Sequence, residues 1–329
     1  MKLIYFNSYS LVYPEVLKTL SQHFKIEEVV YYKRGLSQDI AYKKLVLFRK
    51  QVELQLSLID PFISVEFREI PQDQDIKDPK KFKEYIESVI QSEYSDLPKE
   101  EIAYLIETLA INHIKLALEN ISNSWNFLLF TNKHKGNLDL SLGSQNWKRI
   151  HMVRTEAERT LMGAIKRVHK EQSDPRFDHT IRVLKFANQI ANWSSMDPVT
   201  KNKLLLSCAY HDFAKDWTKD KLLQLASRMY SKPKQELENE IWNLHGPVAR
   251  NYLSKAFRLD DSVLTAIEHH TKPIADLDII GKSLVVADKL EPLKKDSYPQ
   301  DKYDSLMEQL KKGKIEEVFK YLLENPIKS

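Results

Sequence analysis

The spacing of apolar positions divides the chain into two regions with different periods. Residues 2–6 (KLIYF) and 26–32 (IEEVVYY) are short runs rich in β-branched and aromatic side chains, which predict strands. Between them Val16, Leu17, Leu20 and Phe24 recur at helical spacing over residues 13–24, with Pro14 suited to a helix start. Residues 38–57 continue as an amphipathic helix, and residues 63–70 (ISVEFREI) alternate as a strand. After a polar break at 71–80, helices are predicted over 81–92 and 99–119. Candidate strands at 124–130 and 150–153 are separated by a polar stretch read as a connection. Strands alternating with helices predict a parallel α/β sheet. From Thr155 onward only the helical period remains, over 155–170, 177–194, 199–213, 219–228, 234–255, 261–270, 277–290 and 301–324. The reading is two domains: α/β over 1–155, of a Rossmann-like kind, and an all-α bundle over 156–329.

A length of 329 residues suits two domains, and 42% hydrophobic with 29% charged residues is a globular balance. No apolar run reaches the roughly 18–20 residues that span a bilayer. The opening MKLIYF lacks a charged leader, a long apolar core and a cleavage site, so no signal peptide is read. The single cysteine, Cys208, excludes an internal disulfide. A cytoplasmic protein without a membrane partner is expected. Net charge is +4, with lysines interspersed among acids. That is not the dense basic stripe of a nucleic-acid binder, but it suits an anionic small molecule. Only Gly35 precedes Gly136. Glycine-rich phosphate loops need several glycines, so the usual ones are excluded from the first 135 residues.

The second region contains His179, the pair His211-Asp212, His245, the pair His269-His270, and Asp288. The intervals are 32 residues from His179 to His211, 33 from Asp212 to His245, 25 from His245 to His270 and 18 from His270 to Asp288. Each falls on or at the end of a separate predicted helix, and a bundle can aim such side chains at one interior point. Imidazole and carboxylate together suit iron, manganese, zinc or nickel, and Asp212 could bridge two ions. Two ions can hold a hydroxide and phosphoryl oxygens for in-line attack. Isolated histidines such as His23, His113, His134, His151 and His169 read instead as surface or satisfied core residues. The His211-Asp212 pair follows the apolar run LLLSCAY, where an unpaired buried charge would cost several kcal/mol, a cost that a metal or a salt bridge offsets.

The flanking text reads R-F-D-H-T-I-R-V (176–183), H-D-F-A-K (211–215), L-H-G-P-V-A (244–249), A-I-E-H-H-T (266–271) and V-V-A-D-K-L-E-P (285–292). In order and spacing these segments resemble the bacterial HD-domain hydrolases that cleave diadenosine tetraphosphate symmetrically. The resemblance runs from Arg176 to about Tyr303. It implies one metal held by His179, His211, Asp212 and Asp288, and a second by Asp212, His245 and His270, with His270 matching the family's position before threonine. Adjacent helical residues point about 100° apart, so His269 would be a phosphate contact or a neighbour. The resemblance further implies a di-iron centre, with manganese or nickel as alternatives. Arg176 and Lys215 would contact phosphate, Lys215 lying four residues after His211 on the same helical face. Gly246-Pro247 would form a tight turn after His245, with Gly246 against the substrate, and Glu291 would orient a ligand or touch substrate. The family's glycine and arginine after E-P are replaced here by Leu293, Lys294 and Lys295, which lose the bidentate fork of arginine.

The β-α-β opening resembles the nicotinate-nucleotide adenylyltransferase family, which is sometimes fused to this HD domain. Where that family has two glycines and then F-D-P-I-H-x-G-H, this chain has F-N-S-Y-S-L-V-Y-P-E-V from Phe6 to Val16. Both glycines are gone, and Tyr13 and Val16 stand at the histidine positions. The resemblance therefore implies a nucleotidyltransferase-like domain without adenylyl transfer. For the whole chain it implies a bis(5'-nucleosyl)-tetraphosphatase, in which a metal-bridging hydroxide attacks a phosphoanhydride to yield two ADP. Hydrolysis of another nucleotide is one alternative, and a nucleotide-sensing protein with little turnover is another. A homodimer is compatible with this reading.

Overall fold

The structure is a computed structural model describing residues 1–7, 14–22, 25–34, 42–71, 73–74, 78–98, 101–107, 126–130, 137–142, 148–151 and 156–326. The chain divides into two compact units, Met1–Glu158 and Arg159–Ser329.

The first unit is built on strands β1 (Lys2–Asn7), β2 (Glu28–Arg34), β3 (Ser64–Ile70), β4 (Ile102–Glu107), β5 (Asn126–Phe130), β6 (Asn137–Leu142) and β7 (Lys148–His151). Their order is β3-β2-β1-β4-β5-β6-β7. The first five run parallel, and β6 and β7 are antiparallel additions. Helices α1 (Pro14–Ser21) and α2 (Tyr42–Ile59) pack on one face, where Leu3, Tyr5, Val29 and Tyr31 meet Leu17, Leu20, Phe48 and Val52. Helix α3 (Pro79–Val89) covers the other, where Ile4, Phe6, Val30 and Tyr32 meet Phe82 and Ile86. Burial on both faces explains why β1 and β2 read as continuous apolar runs. The outward progression of strands reverses between β1 and β4, a doubly wound arrangement.

Two expectations for this unit are corrected. Residues 102–107, read as part of a helix over 99–119, form β4, in register with β1 from Lys2↔Ile102 to Asn7↔Glu107. A short apolar run such as IAYLIE does not distinguish a buried strand from a buried helix by period, and pairing with β1 decides it. Residues 137–142, read as connection, form β6 against β5. The alternation of Leu138, Leu140 and Leu142 was the available signal. Tyr13 and residues 23–24 of the first expected helix, 38–41 of the second, 99–100 and 108–119 of the helix expected over 99–119, and 124–125 and 152–153 of the expected strands lie outside the described residues.

The second unit consists of α4 (Glu156–Glu171), α5 (Asp174–Trp193), α6 (Pro198–Tyr210), α7 (Lys219–Tyr230), α8 (Ile241–Ala256), α9 (Asp261–His269), α10 (Ile279–Leu290), α11 (Gln300–Lys311) and α12 (Ile315–Glu324). Helix α6 packs against α5, α9 and α10, which is why its LLLSCAY run is apolar almost all round. Helix starts are set by Asp197, Asp260 and Asp278, whose carboxylates accept backbone N–H groups of α6, α9 and α10. Three expected helices are shorter than their periodicity. The one over 199–213 ends at Tyr210, and residues 211–216 form turns. The one over 234–255 is interrupted by a 3-10 turn at Glu238–Glu240, and the one over 301–324 is split at Gly313, whose φ of +75° ends α11 in the left-handed region. No helix among the described residues is long and apolar enough to cross a membrane.

Candidate metal centre

Six residues converge on one buried point of the second unit. His179 comes from α5, and His211 and Asp212 follow α6 directly. His245 lies in α8, His270 caps α9, and Asp288 sits in the last turn of α10. One donor atom each of His179, His211 and Asp212 lie within 4.8 Å of one another, and the same holds for Asp212, His245 and His270. Asp212 belongs to both groups. Its Oδ1 is 3.1 Å from His245 Nε2 and 3.4 Å from His270 Nε2, and its Oδ2 is 3.6 Å from His211 Nε2. Asp288 Oδ1 lies 3.0 Å from His179 Nε2 and 3.9 Å from His211 Nε2.

Local helix geometry orients three of the four imidazoles. The Nδ1–H groups of His211, His245 and His270 donate to the carbonyls of Cys208 at 2.8 Å, Trp242 at 3.0 Å and Ile267 at 2.7 Å, each three residues earlier. That tautomer leaves every Nε2 lone pair aimed at Asp212. The fourth imidazole, His179, sets Nδ1 at 3.4 Å from Glu291 Oε1. Burial lowers His211 and His245 to about 4, so both are neutral at pH 7. For His179 burial alone would lower the value, but hydrogen bonds to Asp288 and Glu291 outweigh it and raise it. Burial would raise both carboxyls, yet the surrounding imidazoles hold Asp212 well below its usual range, and His179 and Lys289 do so for Asp288.

The residues fit a metal ion on three observations. His211 Nε2 is buried without a hydrogen-bond partner. His245 Nε2 and His270 Nε2 approach to 3.1 Å although both Nδ1 protons are already used, so two lone pairs face each other. A cation between them turns that repulsion into coordination. Helices α6 and α9 also direct their carboxyl ends here, which favours positive charge. The all-N and O donor set suits a first-row metal.

A cleft of about 530 Å³ opens over the cluster, lined by Arg176, Lys215, Lys289 and Lys294 together with His179, Asp212, His270 and Asp288. A second pocket of about 380 Å³ shares Arg176, His179 and Lys294 with it. Volumes of this order accommodate a nucleotide-sized ligand.

The expected site residues separate accordingly. Arg176 lines the cleft and its Nη1 donates to Asp212 Oδ2 at 2.9 Å. Lys215 also lines it, but from the turn after α6 rather than from a shared helical face. Burial lowers its ammonium pKa. Gly246 and Pro247 form no turn, because α8 continues through them. A Cβ at Gly246 would sit 2.8 Å from the Glu268 carbonyl and 2.9 Å from that of Ile267, so glycine is what lets α8 and α9 approach. His269 lies outside the cluster, its Nε2 3.5 Å from Glu268 Oε2. Glu291 sits behind His179 and also accepts from Arg182 Nε at 3.0 Å.

Lys289, Arg182 and Gln172 also serve the site, although none is among the residues expected from the sequence. Lys289 Nζ is 3.1 Å from Asp288 Oδ2. Gln172 Nε2 donates to the Asp212 carbonyl at 2.9 Å and Gln172 Oε1 accepts from Thr180, which steadies the turn carrying Asp212. Lys289 was within reach, being adjacent to Asp288. Gln172 carries no pattern that separates it from a surface glutamine.

Residues 176–293 match the HD domain family. A Mycoplasma genitalium protein named probable nicotinate-nucleotide adenylyltransferase/Ap4A hydrolase is 31% identical over 126 residues, covering 37% of this chain and 33% of that protein. A Bacillus subtilis protein named symmetrical bis(5'-nucleosyl)-tetraphosphatase is 27% identical over 128 residues, covering 38% of this chain and 66% of that protein. The chain thus spans a third of the first relative's length and just under two thirds of the second's. A solved structure from Clostridium acetobutylicum, titled a predicted HD superfamily hydrolase involved in NAD metabolism, aligns with a TM-score of 0.40 and 19% identity, covering 49% of this chain and 86% of that one.

Proposed function

Taking residues 176–293 as an HD domain, we propose that this chain is a metal-dependent phosphohydrolase that cleaves diadenosine tetraphosphate symmetrically into two ADP. The observation that carries the reading is the pair of donor groups sharing Asp212 at the floor of a cleft walled by four cationic side chains. His179, His211, Asp212 and Asp288 would hold one ion, and Asp212, His245 and His270 the other. A bound ion pair supplies Lewis acidity toward phosphoryl oxygens and an activated water at neutral pH.

The chain's own groups do the rest. Neutral His211 and His245 present lone pairs without adding charge. The Arg176 guanidinium donates to Asp212 Oδ2 and, from the cleft wall, faces incoming phosphate. Lys215, Lys289 and Lys294 neutralise charge as it develops on the phosphate chain. ADP is a good leaving group and requires little general-acid assistance. The names of the Mycoplasma and Bacillus relatives support the choice of substrate.

The test is incubation of purified protein with diadenosine tetraphosphate and iron or manganese, with products separated by anion exchange. ADP as sole product, lost in Asp212→Ala together with bound metal, is the expected result. ATP plus AMP would exclude symmetrical cleavage. Bound metal with no cleavage would overturn the proposal.

A further inference from the structure

We propose that Trp242 is a stacking platform for the nucleobase of the substrate, which makes the cleft over the histidine and aspartate cluster selective for nucleotides over base-free polyphosphates. The inference rests on reading that cleft as a nucleotide phosphohydrolase site. Trp242 lies in the first turn of α8, three residues before His245, and lines the cleft. It is 77% exposed, whereas Trp217 in the same unit is 8% exposed. Its indole has no ring contact or hydrogen bond among the described residues. An indole held in water beside a cationic cleft is an unused apolar surface, and purine rings cover such a surface by stacking.

The lining of the cleft is chemically mixed. Arg176, Lys215, Lys289 and Lys294 gather around the histidine and aspartate cluster, while Trp242, Pro273 and Leu322 supply apolar wall. This lining, which offers both cations and apolar surface, suits a ligand with a polyanionic chain and an aromatic end. A second observation points the same way. Thr271 lines the cleft, and its buried Oγ1 has no hydrogen-bond partner. A buried hydroxyl without a partner is uncommon, and a bound ligand would satisfy it.

The backbone at Trp242 already has a task, since its carbonyl accepts the His245 Nδ1 proton. Replacing the side chain leaves that carbonyl in place. Trp242→Ala therefore separates base recognition from support of the metal cluster.

The experiment titrates ADP and, separately, inorganic pyrophosphate into metal-loaded wild type, Trp242→Ala and Trp242→Phe, with metal content measured in each. Trp242→Ala should weaken ADP binding about ten-fold or more, as loss of one base–aromatic stack does. Pyrophosphate affinity and metal content should change less than about two-fold, and Trp242→Phe should recover most of the ADP affinity. Equal loss of ADP and pyrophosphate in Trp242→Ala would show a structural effect and overturn the platform. Unchanged ADP affinity would also overturn it. If the wild type binds ADP no more tightly than pyrophosphate, the platform fails while the phosphate site stands. If it binds neither and leaves diadenosine tetraphosphate intact, the hydrolase reading fails with it.

Discussion

Replacing Gly246 with alanine sets two physical effects against each other. Gly246 is inside α8, where alanine is favoured over glycine by about 0.5–1 kcal/mol because it restricts the unfolded chain. On helix propensity alone the substitution stabilises. The added Cβ, however, would stand 2.8 Å from the Glu268 carbonyl and 2.9 Å from the Ile267 carbonyl. Both are backbone atoms, so no rotamer change relieves the contact, and α8 and α9 must separate by about half an ångström to reach ordinary van der Waals distance. Overpacking of this kind costs about 1–3 kcal/mol. The net expectation is a loss of about 0–2.5 kcal/mol. The Ile267 carbonyl is also the acceptor that orients His270, and His245 is the neighbour of Gly246. Separation therefore moves both imidazoles of the Asp212–His245–His270 group. Urea unfolding together with a chelator competition checks both consequences. A Gly246→Ala protein that is more stable than wild type and binds metal equally well would refute the packing argument.

Three further outcomes follow from the same geometry. Glu291→Ala removes the acceptor behind His179 Nδ1 and should lower metal affinity about 10–100-fold in a chelator competition, with little change in fold by circular dichroism. Asp260→Ala removes the N-cap of α9 and should reduce stability in urea by about 0.5–2 kcal/mol. Hydrogen bonds from Lys203 and Ser262 hold the Asp260 carboxyl at about 2. Its contribution is therefore complete above the unfolded value near 4 and fades as pH falls from about 4 to about 2. Because the pair is solvent-exposed, that contribution is a few tenths of a kcal/mol, and the difference between wild type and Asp260→Asn in acid unfolding should shrink over this window.

The grouping of His179, His211, Asp212, His245, His270 and Asp288 was legible in the sequence because chemically distinctive residue types sat at helix ends with distinctive flanks. The helical bundle was legible because the helical period recurs in successive segments from Thr155 onward with no competing strand alternation. β1, β2 and β3 were legible from bounded β-branched and aromatic runs. These properties are local, and local preference determined them. The tertiary structure decided what depends on a neighbour distant in sequence. Residues 102–107 became a strand because β1 offered an edge. Gly246 proved to be a packing glycine inside α8 rather than a turn residue, because the backbone of α9 lies against it. Trp242 was one apolar position among many until packing left it exposed on a cleft wall. Each of these is a matter of contact across sequence distance, and a linear pattern carries no measure of which surfaces meet.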